Sequence, residues 1–120
     1  MAETPGPLAG IAALVLTVSD GVAAGVRVDS GGDGVAARLT GAGASVERQV
    51  IPDGSAPVAD AIRAAASRGV RLLVATGGTG LGPRDRTPEG FRDAIELEIP
   101  GFGERMREAG RGSTPMADLS

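Results

Sequence analysis

Residues 74–90 read VATGGTGLGPRDRTPEG, an apolar run that empties into glycines and threonines and then reaches a carboxylate, Asp85. The chain has no His and no Cys, and its 12 basic residues are all Arg. Imidazole bases, thiolate nucleophiles and the Lys of common nucleotide-binding loops are therefore excluded. The chemistry that remains must use main-chain N–H groups, hydroxyls, guanidinium groups and carboxylates. Gly77, Gly78 and Gly80 can take backbone angles closed to other residues and let a ligand approach the main chain. Bare N–H groups in such a loop form an anion nest. Thr76 and Thr79 add hydroxyl donors, and a helix starting near Thr87 would add the partial positive charge of its N-terminus. On its glycines alone, the stretch reads equally well as a tight strand-to-helix turn.

Asp85 shifts that balance. A carboxylate beside a phosphate nest is repulsive unless a cation lies between them, so the pair points to a metal-bridged phosphate site. Without His or Cys, a bound cation must be a hard one held by oxygen, which favours Mg²⁺. Asp85 is not needed as a helix cap, because Thr87-Pro88-Glu89 supplies an N-cap, an N1 proline and an early acid. Asp53, in Pro52-Asp53-Gly54, reads on its own as a turn former or helix cap more readily than as a ligand. Ser19-Asp20-Gly21 is similar, a turn by type and a ligand loop only by position. Glu96, Glu98, Glu104, Arg105, Arg107 and Arg111 read as solvated helix faces. The loop is neither a Walker A sequence, since no GK[ST] occurs, nor a dinucleotide fingerprint, since the third glycine at the helix entry is missing.

The elements that must carry these loops alternate. Residues 11–18, IAALVLTV, form a continuous apolar run expected to be a strand buried on both faces. The glycine-rich SGGDG precedes VAARLTGAG, read as the end of a short helix that stops at Gly41 or Gly43. Residues 45–51 alternate Val46, Arg48 and Val50 as a strand. A helix over 57–69 puts Val58, Ile62 and Ala65 on one face, and residues 70–75 form a second fully buried strand. The helix after Thr87 carries Phe91, Ala94, Ile95 and Leu97, is expected to end at Pro100-Gly101, and is followed by a short helix over 102–110. The pattern predicts an α/β fold, a layered sandwich around a mostly parallel sheet. Ligands of such sheets bind beyond the carboxyl ends of the strands, where residues 19–21, 53–54 and 76–85 fall.

At 120 residues the chain suits one domain. Residues 1–10 read as a flexible leader and 11–120 as a single domain. A net charge of −3 gives no general case for nucleic acid. The longest apolar run is too short to span a membrane, which places the protein in the cytoplasm.

LTVSDG (16–21), DSGG (29–32), VIPDG (50–54), VATGGTGLGPRDRTPE (74–89), EIPGFGERMR (98–107) and TPMADLS (114–120) occur in that order. Together they resemble the Mog/MoaB family of molybdenum cofactor biosynthesis proteins over nearly the whole chain from residue 11. The resemblance implies a three-layer α/β fold assembled as homo-oligomers, usually trimers and sometimes hexamers. It also implies molybdopterin adenylyltransferase activity, in which AMP passes from MgATP to the terminal phosphate of molybdopterin and pyrophosphate is released. On it, Asp53 and Asp85 are the essential, metal-holding carboxylates. Thr76, Gly77, Gly78, Thr79 and Gly80 form the ligand loop, Ser19 and Asp20 lie at the pocket edge, and Ser120 matches a serine at the pterin site. The family pattern continues beyond the LS of ADLS with a Gly-rich segment, a strand and a final helix. The domain is accordingly expected to lack that strand and helix, and the alternative is a molybdopterin-binding subunit without catalysis.

Overall fold

A computed structural model describes residues 5–119. Its frame is a three-stranded parallel sheet of order β2-β1-β3, with β1 at Ala12–Val18, β2 at Ser45–Ile51 and β3 at Leu72–Thr76. The helices are α1 (Asp20–Ala23), α2 (Ser30–Gly41), α3 (Ser55–Ser67), α4 (Thr87–Ala94) and α5 (Pro100–Arg111), and a 3₁₀ turn covers Pro115–Leu119.

Strand alternation sorts the layers. Leu16 and Val18 of β1 join Ile51 of β2, with Leu73 and Ala75 of β3, in a cluster with Val58, Ala61 and Ile62 of α3 and Phe91 of α4. The opposite face of β1 carries Thr17, whose hydroxyl donates to Asp29 Oδ2 at 2.7 Å. Asp29 caps α2 by accepting from Gly32 N. Thus α3 and α4 cover one face, α2 covers the other, and the three-layer α/β expectation holds. β1 has a neighbour strand on each side and a helix on each face, so Ala13 to Val18 are all buried.

The second strand expected to be fully buried is not. β3 is half-exposed along its length because β1 pairs with only one of its edges. The SGGDG segment lies inside α2, whose first turn is closed by Asp29. Pro100-Gly101 does not end the preceding helix; it opens α5, with Pro100 in the first turn where a missing N–H costs nothing. α4 stops at Ala94, Ile95 is already extended, and Leu97 is exposed rather than core-facing.

Gly90, at a position where a helix former is usual, is explained by packing. A Cβ there would lie 2.6 Å from Val58 Cβ and 2.7 Å from the Ser55 carbonyl oxygen. Without a side chain at Gly90, α4 can approach α3 closely. Residues 7–10 form a turn whose Leu8 N–H donates to Ala42 O at 2.9 Å.

Candidate functional site

The carboxyl ends of the three parallel strands converge on one cavity of about 250 Å³. Ser19 and Val22 line it after β1, Asp53 after β2, Thr76 at the end of β3, and Gly77, Gly78 and Asp85 beyond it. Arg27, Asp29, Ser30 and Gly31 form the wall on the α2 side, and Thr17 and Val18 lie at its base.

Gly77 and Gly78 have φ of +92° and +67°. A Cβ on Gly77 would strike the Val18 carbonyl oxygen, and one on Gly78 would strike Thr87 Oγ1. Glycine is therefore required twice in succession. Thr87 is not the side-chain N-cap that its sequence suggests. It sits at the first position of α4, 5% exposed, where its hydroxyl donates to Gly77 O at 2.9 Å and its N–H to Gly78 O at 3.1 Å. With both carbonyls turned toward Thr87, planarity of the trans peptides points the N–H groups of Gly78 and Thr79 the opposite way. Among the described residues, the N–H groups of Gly78, Thr79 and Gly80 have no hydrogen-bond acceptor. Successive free N–H groups of this kind are the donor type of an anion nest, and of the three residues Gly78 lines the cavity.

Asp29 in the cavity wall is engaged by Thr17, Gly32 and Arg48; the cavity's other two carboxylates, Asp53 and Asp85, are each braced by the main chain. Asp53 Oδ2 accepts from Asp20 N at 3.1 Å, and Asp85 Oδ2 accepts from Gly82 N at 3.0 Å. In neither does Oδ1 take a hydrogen bond from a described residue. Among the described residues there is no cluster of three or more acidic, His or Cys groups that could hold a metal by itself. Two carboxylates with nearby Ser19 and Thr76 hydroxyls suit Mg²⁺, which keeps several waters and is commonly held by one or two carboxylates plus substrate phosphates.

The remaining sequence-predicted residues fall as follows. Ser19 N-caps α1, accepting from Val22 N at 3.2 Å, while lining the cavity. Asp20, Thr79 and Gly80 do not line it. Gly80 packs on the Asp85 carboxylate, where a Cβ would meet Oδ2 at 2.8 Å. Ser120 lies outside the described residues. Arg84 donates to both Asp20 oxygens, and this pairing holds the Asp20 carboxyl below the ordinary range despite some desolvation.

Sequence reasoning missed Thr17, Arg27, Asp29 and Arg84. Burial disfavours the Asp29 anion. Hydrogen bonds from Thr17, Gly32 and Arg48 outweigh that effect and hold its carboxyl below the usual range. The one local signal was an Asp directly ahead of a helix start, an N-cap type.

Residues 14–117 match the sequence profile of the family described as "Probable molybdopterin binding domain". The fold superposes on MoaB, a molybdopterin biosynthesis enzyme of Thermus thermophilus, with a TM-score of 0.82 and 39% identity, over 92% of this chain and 70% of that one. The chain belongs to the Mog/MoaB family. This Mog/MoaB domain is 46% identical over 116 residues to the molybdenum cofactor biosynthesis bifunctional protein of Synechococcus elongatus, covering 96% of the chain and 36% of that protein. It is 33% identical over 110 residues to the molybdopterin adenylyltransferase of Escherichia coli K12, covering 88% of the chain and 56% of the enzyme. The domain thus spans between about a third and just over half of these curated relatives, and it is a domain of the molybdenum cofactor biosynthesis type. Among the described residues no helix is long and apolar enough to cross a membrane.

Proposed function

We propose that this Mog/MoaB domain transfers AMP from MgATP to the terminal phosphate of molybdopterin. The observation that carries the reading is that Asp53, Asp85 and the Gly77-Gly78 turn face one cavity at the carboxyl ends of the parallel strands. A phosphate oxygen of the pterin attacks the α-phosphorus of ATP and a new P–O bond forms. The bond from the α-phosphorus to its bridging oxygen breaks, and pyrophosphate leaves with the electron pair. The nucleophile is already ionised, so no imidazole or amine base is needed, which suits a chain without His or Lys. The Gly78 N–H, at the cavity wall, would hold one phosphate, and the Thr79 and Gly80 N–H groups that follow it would extend the nest at the cavity's edge. Asp53 and Asp85 would present Oδ1 to Mg²⁺, which neutralises phosphate charge when bound. Positioning and charge neutralisation then supply most of the catalysis.

The cavity is smaller than the roughly 300–1,000 Å³ of complete ligand pockets. It fits the reacting phosphates rather than two whole substrates. That observation supports a second reading, a domain that binds the pterin without catalysing transfer. Incubation with molybdopterin and MgATP separates the two. Pyrophosphate release supports the transferase, and tight pterin binding without pyrophosphate selects the binder. The exposed Ile99, Phe102 and Met106 near and on α5 support assembly as a homo-oligomer, to be checked by light scattering.

A further inference from the structure

The loops that follow β1, β2 and β3 are tied together at a point beside the cavity rather than in it. Asp20 N–H donates to Asp53 Oδ2 at 3.1 Å, and Asp53 N–H donates back to Asp20 Oδ1 at 3.1 Å. This closed ring joins the β1 and β2 loops. Arg84 closes the third side from the β3 loop. Its Nε donates to Asp20 Oδ2 at 2.7 Å, and its Nη2 to Asp20 Oδ1 at 3.0 Å and to the Asp53 carbonyl at 3.2 Å. Planar guanidinium against carboxylate fixes orientation as well as distance. Neither Asp20 nor Arg84 lines the cavity, but Asp53 and Asp85, their neighbours in the ring and the chain, both do.

We infer that Arg84 is a positioning residue whose latch on Asp20 and the Asp53 carbonyl sets the Asp85 carboxylate opposite Asp53, and that Asp20 belongs to this latch. Residues 79–86 have little else to hold them. The Gly82–Asp85 turn is internal to the loop, and Arg86 pairs with Glu89 on the adjoining helix. Among the described residues, Arg84 makes the only hydrogen bonds from this segment to the β1 and β2 loops. The pair is exposed, Arg84 at 64% and Asp20 at 46% of the side chain. Exposed pairs add little to folding stability, so the latch should act on geometry and leave the fold intact.

The test uses Arg84→Gln, Arg84→Lys, Asp20→Asn and the double variant Asp20→Asn/Arg84→Gln, each read twice. Amide hydrogen exchange is measured without any ligand, and pyrophosphate release is measured with molybdopterin and MgATP. Only the kinetic arm rests on the proposed transferase reading. In Arg84→Gln, exchange at the Gly82 and Asp85 amides, the two in this loop that are hydrogen-bonded, should rise at least about 10-fold while β1 stays protected, with a Tm shift below about 5 °C. The kcat should fall about 10- to 100-fold with the KM for ATP changed less than about threefold, as expected of misplaced reacting groups. Arg84→Lys should fall between wild type and Gln, and the double variant should be no worse than the poorer single one. Unchanged exchange at the Gly82 and Asp85 amides in Arg84→Gln overturns the latch, as do Asp20 and Arg84 effects that simply multiply. If wild type releases no pyrophosphate, the transferase reading falls and the exchange arm still decides the latch.

Discussion

Replacing Gly90 with Ala tests the coupling between helix packing and the loop geometry. In an isolated helix the change would stabilise by up to about 1 kcal/mol, because Ala is the better helix former. Here the added methyl would sit 2.6 Å from Val58 Cβ, 2.7 Å from Val58 Cγ1 and 2.7 Å from the Ser55 carbonyl. None of these is the free end of a flexible side chain, so α4 must move away from α3. Overpacking of this kind costs about 3 kcal/mol at the upper end of its range. The propensity gain offsets about 1 kcal/mol, leaving about 2 kcal/mol of net destabilisation, or a fall in Tm of about 8 °C. Moving α4 also carries Thr87 away from Gly77 and Gly78, so turnover should fall with stability. The assay is urea unfolding with the m-value monitored, alongside a thermal melt. Gly34→Ala is the control: it lies at an exposed position of α2 with nothing within 4 Å of the new methyl, and should be neutral to stabilising. A Gly90→Ala protein as stable as wild type, or more so, would refute the packing argument.

Thr87→Val removes the hydroxyl donor to Gly77 O and should cost about 1–2 kcal/mol in urea unfolding. Asp29 gives a pH dependence. Its folded pKa is depressed, so its stabilisation is present above the unfolded carboxylate value of about 3.9 and is lost as pH falls through the lower folded value. The stability gap between wild type and Asp29→Asn should therefore be flat above about pH 5 and shrink toward pH 3 in denaturant titrations. Asp85→Asn keeps the shape of the side chain but removes its charge, and should lower pyrophosphate release by at least about 100-fold. Full activity in that variant would remove Asp85 from the chemistry.

The parts of the fold that sequence made legible are those with short-range causes. β1 and β2 follow from apolar runs and alternation, and Gly77 and Gly78 are glycines that the turn itself demands. Pro100-Gly101 was misjudged because a proline both stops one helix and opens the next, and local pattern cannot choose between them. Thr87 has the residue type of an N-cap, yet its hydroxyl is claimed by Gly77, ten residues away. The partial exposure of β3 depends on strand order, which no single segment encodes. Residues at the cavity edge were hardest to find. Thr17 meets Asp29 across 12 residues and Arg84 meets Asp20 across 64, so neither pairing leaves a periodic trace. Asp53 read more readily as a turn former or cap than as a ligand, yet α3 has Gly54 at its N-cap without a side-chain bond, and the Asp53 carboxylate instead joins the ring with Asp20.

The most direct measurement is a crystal structure of the protein soaked with MgATP. The account predicts a magnesium ion within about 2.0–2.1 Å of Oδ1 of both Asp53 and Asp85, with a phosphate oxygen in hydrogen-bond reach of the Gly78–Gly80 amides. A triphosphate bound elsewhere, with both carboxylates in contact only with water, would contradict it.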